Sequence, residues 1–177
     1  MKIKNKSKKR IDFLDRILSA LKHDDIYGTI KYRDLSEARI KEFIYPHLIR
    51  ELKRYYMDTN NINEDRSYKK AKKNLLWEGN VNTTVNNITF LGVQHRPDMI
   101  IDSDLNIAIE IKKGEKGSGI REGIGQSLVY STIYDFTIYL FIDISKDKKI
   151  MNSLNGKREK ALIDKLWQDY NIIFEVV

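Results

Sequence analysis

Residues 98–112 constrain the fold more than any other stretch of this chain. Met99, Ile100 and Ile101 form a short apolar run, and residues 106–112 alternate, joined to that run by the polar turn Asp102-Ser103-Asp104. Runs of this length bounded by turn residues predict two strands of a hairpin. Successive side chains of a strand point to opposite faces, so Ile107, Ile109 and Ile111 share one face while Ala108, Glu110 and Lys112 share the other. Closing the hairpin brings Asp98, at the foot of the first strand, towards the face of Glu110 and Lys112.

Around that hairpin the pattern alternates between helical and extended periods. Residues 1–10 read as a basic arm, and residues 11–32 as a helix followed by a polar link, with Phe13, Leu14, Ile17, Leu18 and Leu21 at helical spacing. Asp34, with Glu37 three residues on, predicts a capped helix start. That helix continues through Ile40, Ile44, Leu48 and Leu52, with Pro46 expected to kink or interrupt it. Residues 58–65 read as a loop, 69–77 as a short basic helix and 80–93 as one or two strands. After Lys113 come five glycines, at 114, 117, 119, 123 and 125, read as a flexible connector running into a helix over 120–134. A strand over 136–144, a polar loop, an amphipathic helix over 157–170 with Ala161, Leu162, Leu166 and Trp167 inward, and a strand over 172–177 complete the chain. The expected architecture is α/β: one domain over 1–177, with a central mixed β-sheet flanked by helices on both faces.

With 177 residues the chain is long enough to bury a core of its own. No apolar run approaches membrane-spanning length, and the basic N-terminus lacks the apolar segment of a secretory signal, so a cytoplasmic protein without a membrane partner is expected. The chain has no cysteine, which excludes disulfides and thiolate chemistry and leaves oxygen and imidazole as metal ligands. A net charge of +7 favours polyanionic partners.

Two carboxylates brought close together ionise cheaply only with a cation between them. Asp98 and Glu110 are therefore candidate ligands of Mg²⁺ or Mn²⁺, with the Ile111 backbone carbonyl as a further oxygen. Lys112, two residues beyond Glu110, is placed to touch an attacking water or a developing negative phosphate. Arg96 precedes the set, and Lys113, Lys116 and Arg121 border the glycine-rich segment, where they are expected to hold a polyanion. His95 is a weaker metal candidate, because a lone histidine beside a strand is more often simply packed.

Pro97-Asp98, eleven intervening residues and Glu110-Ile111-Lys112 resemble the signature of the PD-(D/E)XK nuclease superfamily. The order of elements, helix, three antiparallel strands, helix and strand (αβββαβ, here with an added C-terminal αβ), is similar to that superfamily's restriction-endonuclease-like core. Gln126 and Tyr130 resemble the Q-x-x-x-Y motif of its RecB-type branch. The resemblance implies a metal-dependent phosphodiesterase acting on DNA, ahead of RNA. Asp98 and Glu110 would be metal ligands and Lys112 the catalytic lysine. Glu37, with Glu42 as second choice, would be the helix acid that reaches the metal. Gln126 and Tyr130 would line the cleft. It implies no iron–sulfur cluster, since the cysteines that hold one in some RecB-type members are missing.

Within that class the alternative is a sequence-specific restriction-type endonuclease. Outside it, the alternative is a nucleic-acid-binding module that keeps the fold without cleaving. Endo- or exonuclease action stays open, as does work alone, as a homodimer or inside a larger complex.

Overall fold

The computed structural model describes residues 6–28, 32–79 and 85–177. Its centre is a five-stranded mixed sheet. The strands, in chain order, are β1 (Leu75–Trp77), β4 (Met99–Asp102), β5 (Asn106–Gly114), β6 (Phe136–Asp143) and β7 (Ile172–Val176), and they are neighbours in that order. β1–β4 and β4–β5 pair antiparallel, while β5–β6 and β6–β7 pair parallel. A separate two-stranded ribbon, β2 (Ile88–Phe90) and β3 (Val93–His95), is inserted between β1 and β4.

The predicted hairpin is β4–β5, with Met99 opposite Ile109 and Ile101 opposite Ile107. Its two faces divide as their alternation demands. Ile107, Ile109 and Ile111 are fully buried in a core shared with α1 (Lys8–Leu21), the one-turn α2 (Asp24–Tyr27) in the expected polar link, and α3 (Glu37–Asn60). Ala108 packs on the opposite face with Val129 and Tyr130 of α5 (Gly117–Tyr130). β6 is buried along its whole length, as a strand covered on both faces must be.

Several expectations are corrected. The first helix begins at Lys8, inside the expected basic arm, because Arg10 is held by Asp135 at 2.9 Å and lies over the Phe136 ring. Asp34 does not cap α3. Ser36 does, its hydroxyl accepting the Arg39 N–H, which leaves Glu37 free for other contacts. Pro46 does not interrupt α3, which runs unbroken from Glu37 to Asn60; the carbonyl that the proline leaves without a helical partner belongs to Glu42, an exposed residue. The helix runs to Asn60 and α4 covers Glu64–Asn74, so the loop expected over 58–65 shrinks to three residues. The expected basic helix over 69–77 ends at Asn74, and residues 75–77 are instead β1, the third antiparallel strand of the sheet.

Part of the strand region expected over 80–93, residues 80–84, lies outside the described residues, and the rest supplies the β2–β3 ribbon. The glycine-rich connector is mostly helix: α5 begins at Gly117 and ends at Tyr130, short of the expected 134. Glycine is a poor helix former, but here its missing side chain lets α5 lie close on β6. The Tyr139 hydroxyl donates to the Gly119 carbonyl at 2.9 Å, and a Cβ on Gly123 would fall 2.2 Å from the Tyr139 ring. The polar loop after β6 holds a short helix, α6 (Lys149–Ser153), and in α7 (Lys157–Tyr170) Leu166 is buried while Ala161 and Leu162 face solvent. Among the described residues no helix is long and apolar enough to cross a membrane.

Candidate active site

Three elements converge where the β4–β5 hairpin meets the N-terminus of α3. Asp98 stands at the foot of β4 and is 7 % exposed, and Glu110 in mid-β5 is 2 % exposed. Burying carboxylates this deeply is unfavourable unless hydrogen bonds or cations compensate. Asp98 Oδ2 accepts the Ile111 backbone N–H at 2.7 Å, just where β4 has ended and β5 would otherwise lack a partner. Its Oδ1 bonds the ammonium of Lys41, which also lies 3.2 Å from Glu37 Oε1. Glu37 Oε2 accepts the Lys113 backbone N–H at 3.1 Å, tying the first turn of α3 to the end of β5.

Glu110 Oε1 is 3.0 Å from Lys112 Nζ, while Glu110 Oε2 is buried without a hydrogen bond. Lys112 also approaches Glu122 on α5, at 3.8 Å. From the other side Tyr130 brings a buried hydroxyl beside the Glu110 carboxylate without completing a hydrogen bond, and the Gln126 Oε1 is likewise unpaired.

Burial first, and Asp98 second, push the Glu110 carboxyl up to about 7, against the opposing pull of Lys112 and Lys41. Burial also raises Asp98, although Lys41 and the Ile111 N–H oppose it. Lys112 is partly desolvated, which favours the neutral amine, but Glu110, Glu37 and Asp98 outweigh this and raise it further. Lys112 is therefore a fixed ammonium at neutral pH, suited to stabilising negative charge and not to accepting a proton. Burial, then Glu110, hold the Tyr130 phenol well above its ordinary value.

The donor types suit a hard divalent cation, with three carboxylates, one orphaned carboxylate oxygen and no sulfur, but one oxygen from each of Asp98, Glu110 and Glu37 cannot be chosen so that all three lie within 4.8 Å of one another. The Ile111 carbonyl fits as well. A strand residue directs its N–H and C=O to the same side, and the Ile111 N–H already points to Asp98.

Of the expected site residues, Asp98, Glu110, Lys112, Glu37 and Tyr130 come together, and Gln126 lies one helical turn from Tyr130. Glu42 does not join them, being exposed and paired with Arg39. Arg96 is engaged with Glu78, and the Lys113 ammonium donates to the Arg33 carbonyl at 2.6 Å and to the Leu35 carbonyl. Lys113 thus braces the approach to α3, whereas Lys116 and Arg121 at the start of α5 are exposed. His95 stands in the ribbon, outside the group.

Two features went unforeseen. Lys41 could have been found one turn beyond Glu37 on the same helical face. The second is a group formed by His23, Asp25 and His47, whose candidate ligand atoms lie within 4.8 Å of one another. There Arg50 Nη2 is 2.9 Å from His47 Nδ1, a fixed positive charge that opposes a bound cation. No protein-family model, no curated protein and no solved structure matches the chain.

Proposed function

We propose that this chain is a divalent-metal-dependent nuclease that hydrolyses phosphodiester bonds of DNA, built on a PD-(D/E)XK core. The observation that carries the reading is the grouping of Asp98, Glu110, Lys112 and Glu37 along the second half of β5. The order α3, β1, β4, β5, α5, β6, with its parallel β5–β6 pair, supports the same reading.

Asp98, Glu110, Glu37 and the Ile111 carbonyl would hold Mg²⁺ or Mn²⁺. When bound, the ion supplies Lewis acidity and neutralises charge at phosphorus. The chain's own residues do the rest. Hydrolysis forms one P–O bond to water and breaks another, and the Lys112 ammonium stabilises negative charge as it develops on phosphate oxygens. The Gln126 amide offers hydrogen bonds to the sugar–phosphate backbone from α5. Lys116 and Arg121 on the same helix attract the polyanion.

The test is incubation with linear, circular and single-stranded DNA in Mg²⁺ or Mn²⁺, beside Asp98→Asn and Lys112→Ala. Metal-dependent cleavage lost in both variants is the expected result. Absence of cleavage on every substrate overturns the reading. Cleavage of linear DNA alone indicates an exonuclease, and discrete fragments indicate a restriction-type enzyme.

One observation favours a second reading, a nucleic-acid-binding module that does not cleave. Lys41 already neutralises two of the acids. Tight DNA binding, insensitive to divalent ions and without cleavage, is the outcome that selects it.

A further inference from the structure

We infer that Lys41 is a built-in counter-ion for this acidic site, and that its ammonium must leave Asp98 before a divalent ion can bind. The inference rests on the proposed metal site and adds how that site is controlled.

Asp98 has two carboxylate oxygens, and the Ile111 N–H holds Oδ2 at 2.7 Å. The oxygen left open, Oδ1, is the one bonded to Lys41. Glu37 repeats the pattern: the Lys113 N–H takes Oε2, and Oε1 faces Lys41 at 3.2 Å. Backbone donors thus fix one oxygen of each acid, and a single ammonium occupies both of the others. Only Glu110 keeps a buried oxygen with no partner.

Lys41 is not a surface lysine that happens to reach these acids. Its side chain is 14 % exposed, and it leaves α3 one turn after Glu37, on the same face. An ammonium and a divalent ion cannot share the same two oxygens, because like charges so close in a partly buried site repel strongly. Binding is therefore an exchange: the cation enters, and the flexible lysine stem swings its charge out towards the opening. Without a divalent ion the lysine keeps the buried acids compensated, and the protein folds without metal.

Mn²⁺ alone is the probe, with affinity read by calorimetry and stability by thermal melting, so neither readout needs cleavage. Lys41→Met removes the charge. Lys41→Gln removes it but keeps a donor for Asp98, which guards against simple misfolding. Both variants are expected to bind Mn²⁺ at least about tenfold more tightly than wild type. Both should melt lower than wild type without metal and gain more from it. Equal Mn²⁺ affinity in wild type and Lys41→Gln overturns the exchange. Binding by Lys41→Gln with none by wild type also overturns it, since the lysine then replaces the ion permanently. Binding unaffected by Asp98→Asn, or absent from every form, removes the metal site itself and the exchange with it.

Discussion

Asp98 Oδ2 accepts the Ile111 N–H across the open end of the β4–β5 ladder, so the same side chain serves the site and closes the sheet. The two roles separate by substitution. Asparagine keeps an acceptor for the N–H, whereas alanine leaves a buried donor unpaired, at a cost of about 1–3 kcal/mol. Asp98→Asn is expected to fold with a melting temperature near wild type and to lose Mn²⁺ binding. Asp98→Ala is expected to lose both. Denaturant unfolding of the two variants checks this, and equal stability would show that the Ile111 bond contributes nothing.

Glu110 makes stability depend on pH. Its carboxyl titrates at about 7 when folded, above the ordinary value of 4.5, so the folded state holds the proton more tightly than the unfolded one. Stability without metal is therefore greatest below the unfolded value and falls as pH rises from about 4.5 to about 7, by an amount on the order of 3 kcal/mol. Asp98 is shifted in the same direction and adds to the slope. Glu110→Gln should flatten the profile and raise the melting temperature at pH 8. Saturating Mg²⁺ should flatten it in wild type, because a cation favours the ionised carboxylate. Melting curves across pH 4–8, with and without Mg²⁺, provide the measurement. A wild-type slope unchanged in Glu110→Gln assigns the titration elsewhere.

The hairpin was legible in the sequence because strand alternation is local: Ile107, Ile109 and Ile111 on one side and Glu110 and Lys112 on the other follow from a period of two. Glu37 was also legible, since it falls in line with Ile44 and Leu48 on the inward face of a long amphipathic helix. What sequence concealed depends on distant contacts. Lys41 shares a helical face with Glu37 one turn away, but its bond to Asp98 spans 57 positions, and no local pattern announces that partner. β1 is only three residues long and follows a basic helix, so its strand state comes from pairing with β4 and not from propensity. The glycines of α5 read as a connector because their helical role lies in what they allow against Tyr139.

That close approach gives two neighbouring glycines opposite responses. A Cβ on Gly123 would sit 2.2 Å from the fully buried Tyr139 ring, whereas one on Gly125 meets nothing within 4 Å. Gly123→Ala should destabilise by about 1–3 kcal/mol through overpacking and lift α5, with Gln126 and Tyr130, off the sheet. Gly125→Ala, in the same helix but exposed, should stabilise by about 0.5–1 kcal/mol. Denaturant midpoints of the two variants decide the matter, and equal effects would mean that the packing against Tyr139 does not hold α5.

Tyr130 offers a separation of stability from chemistry. Its ring is wholly buried, but its hydroxyl completes no hydrogen bond and stands beside Glu110. Removing an unpaired buried hydroxyl while keeping the ring costs little, so Tyr130→Phe should stay within about 1 kcal/mol of wild type. The phenol stays protonated through the neutral range, because burial and Glu110 both hold it there. It can therefore donate to Glu110 once that carboxylate ionises, and orient it towards a cation. Tyr130→Phe should thus leave the fold intact and weaken Mn²⁺ binding severalfold, with a proportionate loss of any DNA cleavage. Wild-type Mn²⁺ affinity in Tyr130→Phe would reduce Tyr130 to a packing residue and leave the site to Asp98, Glu110, Glu37 and the two lysines.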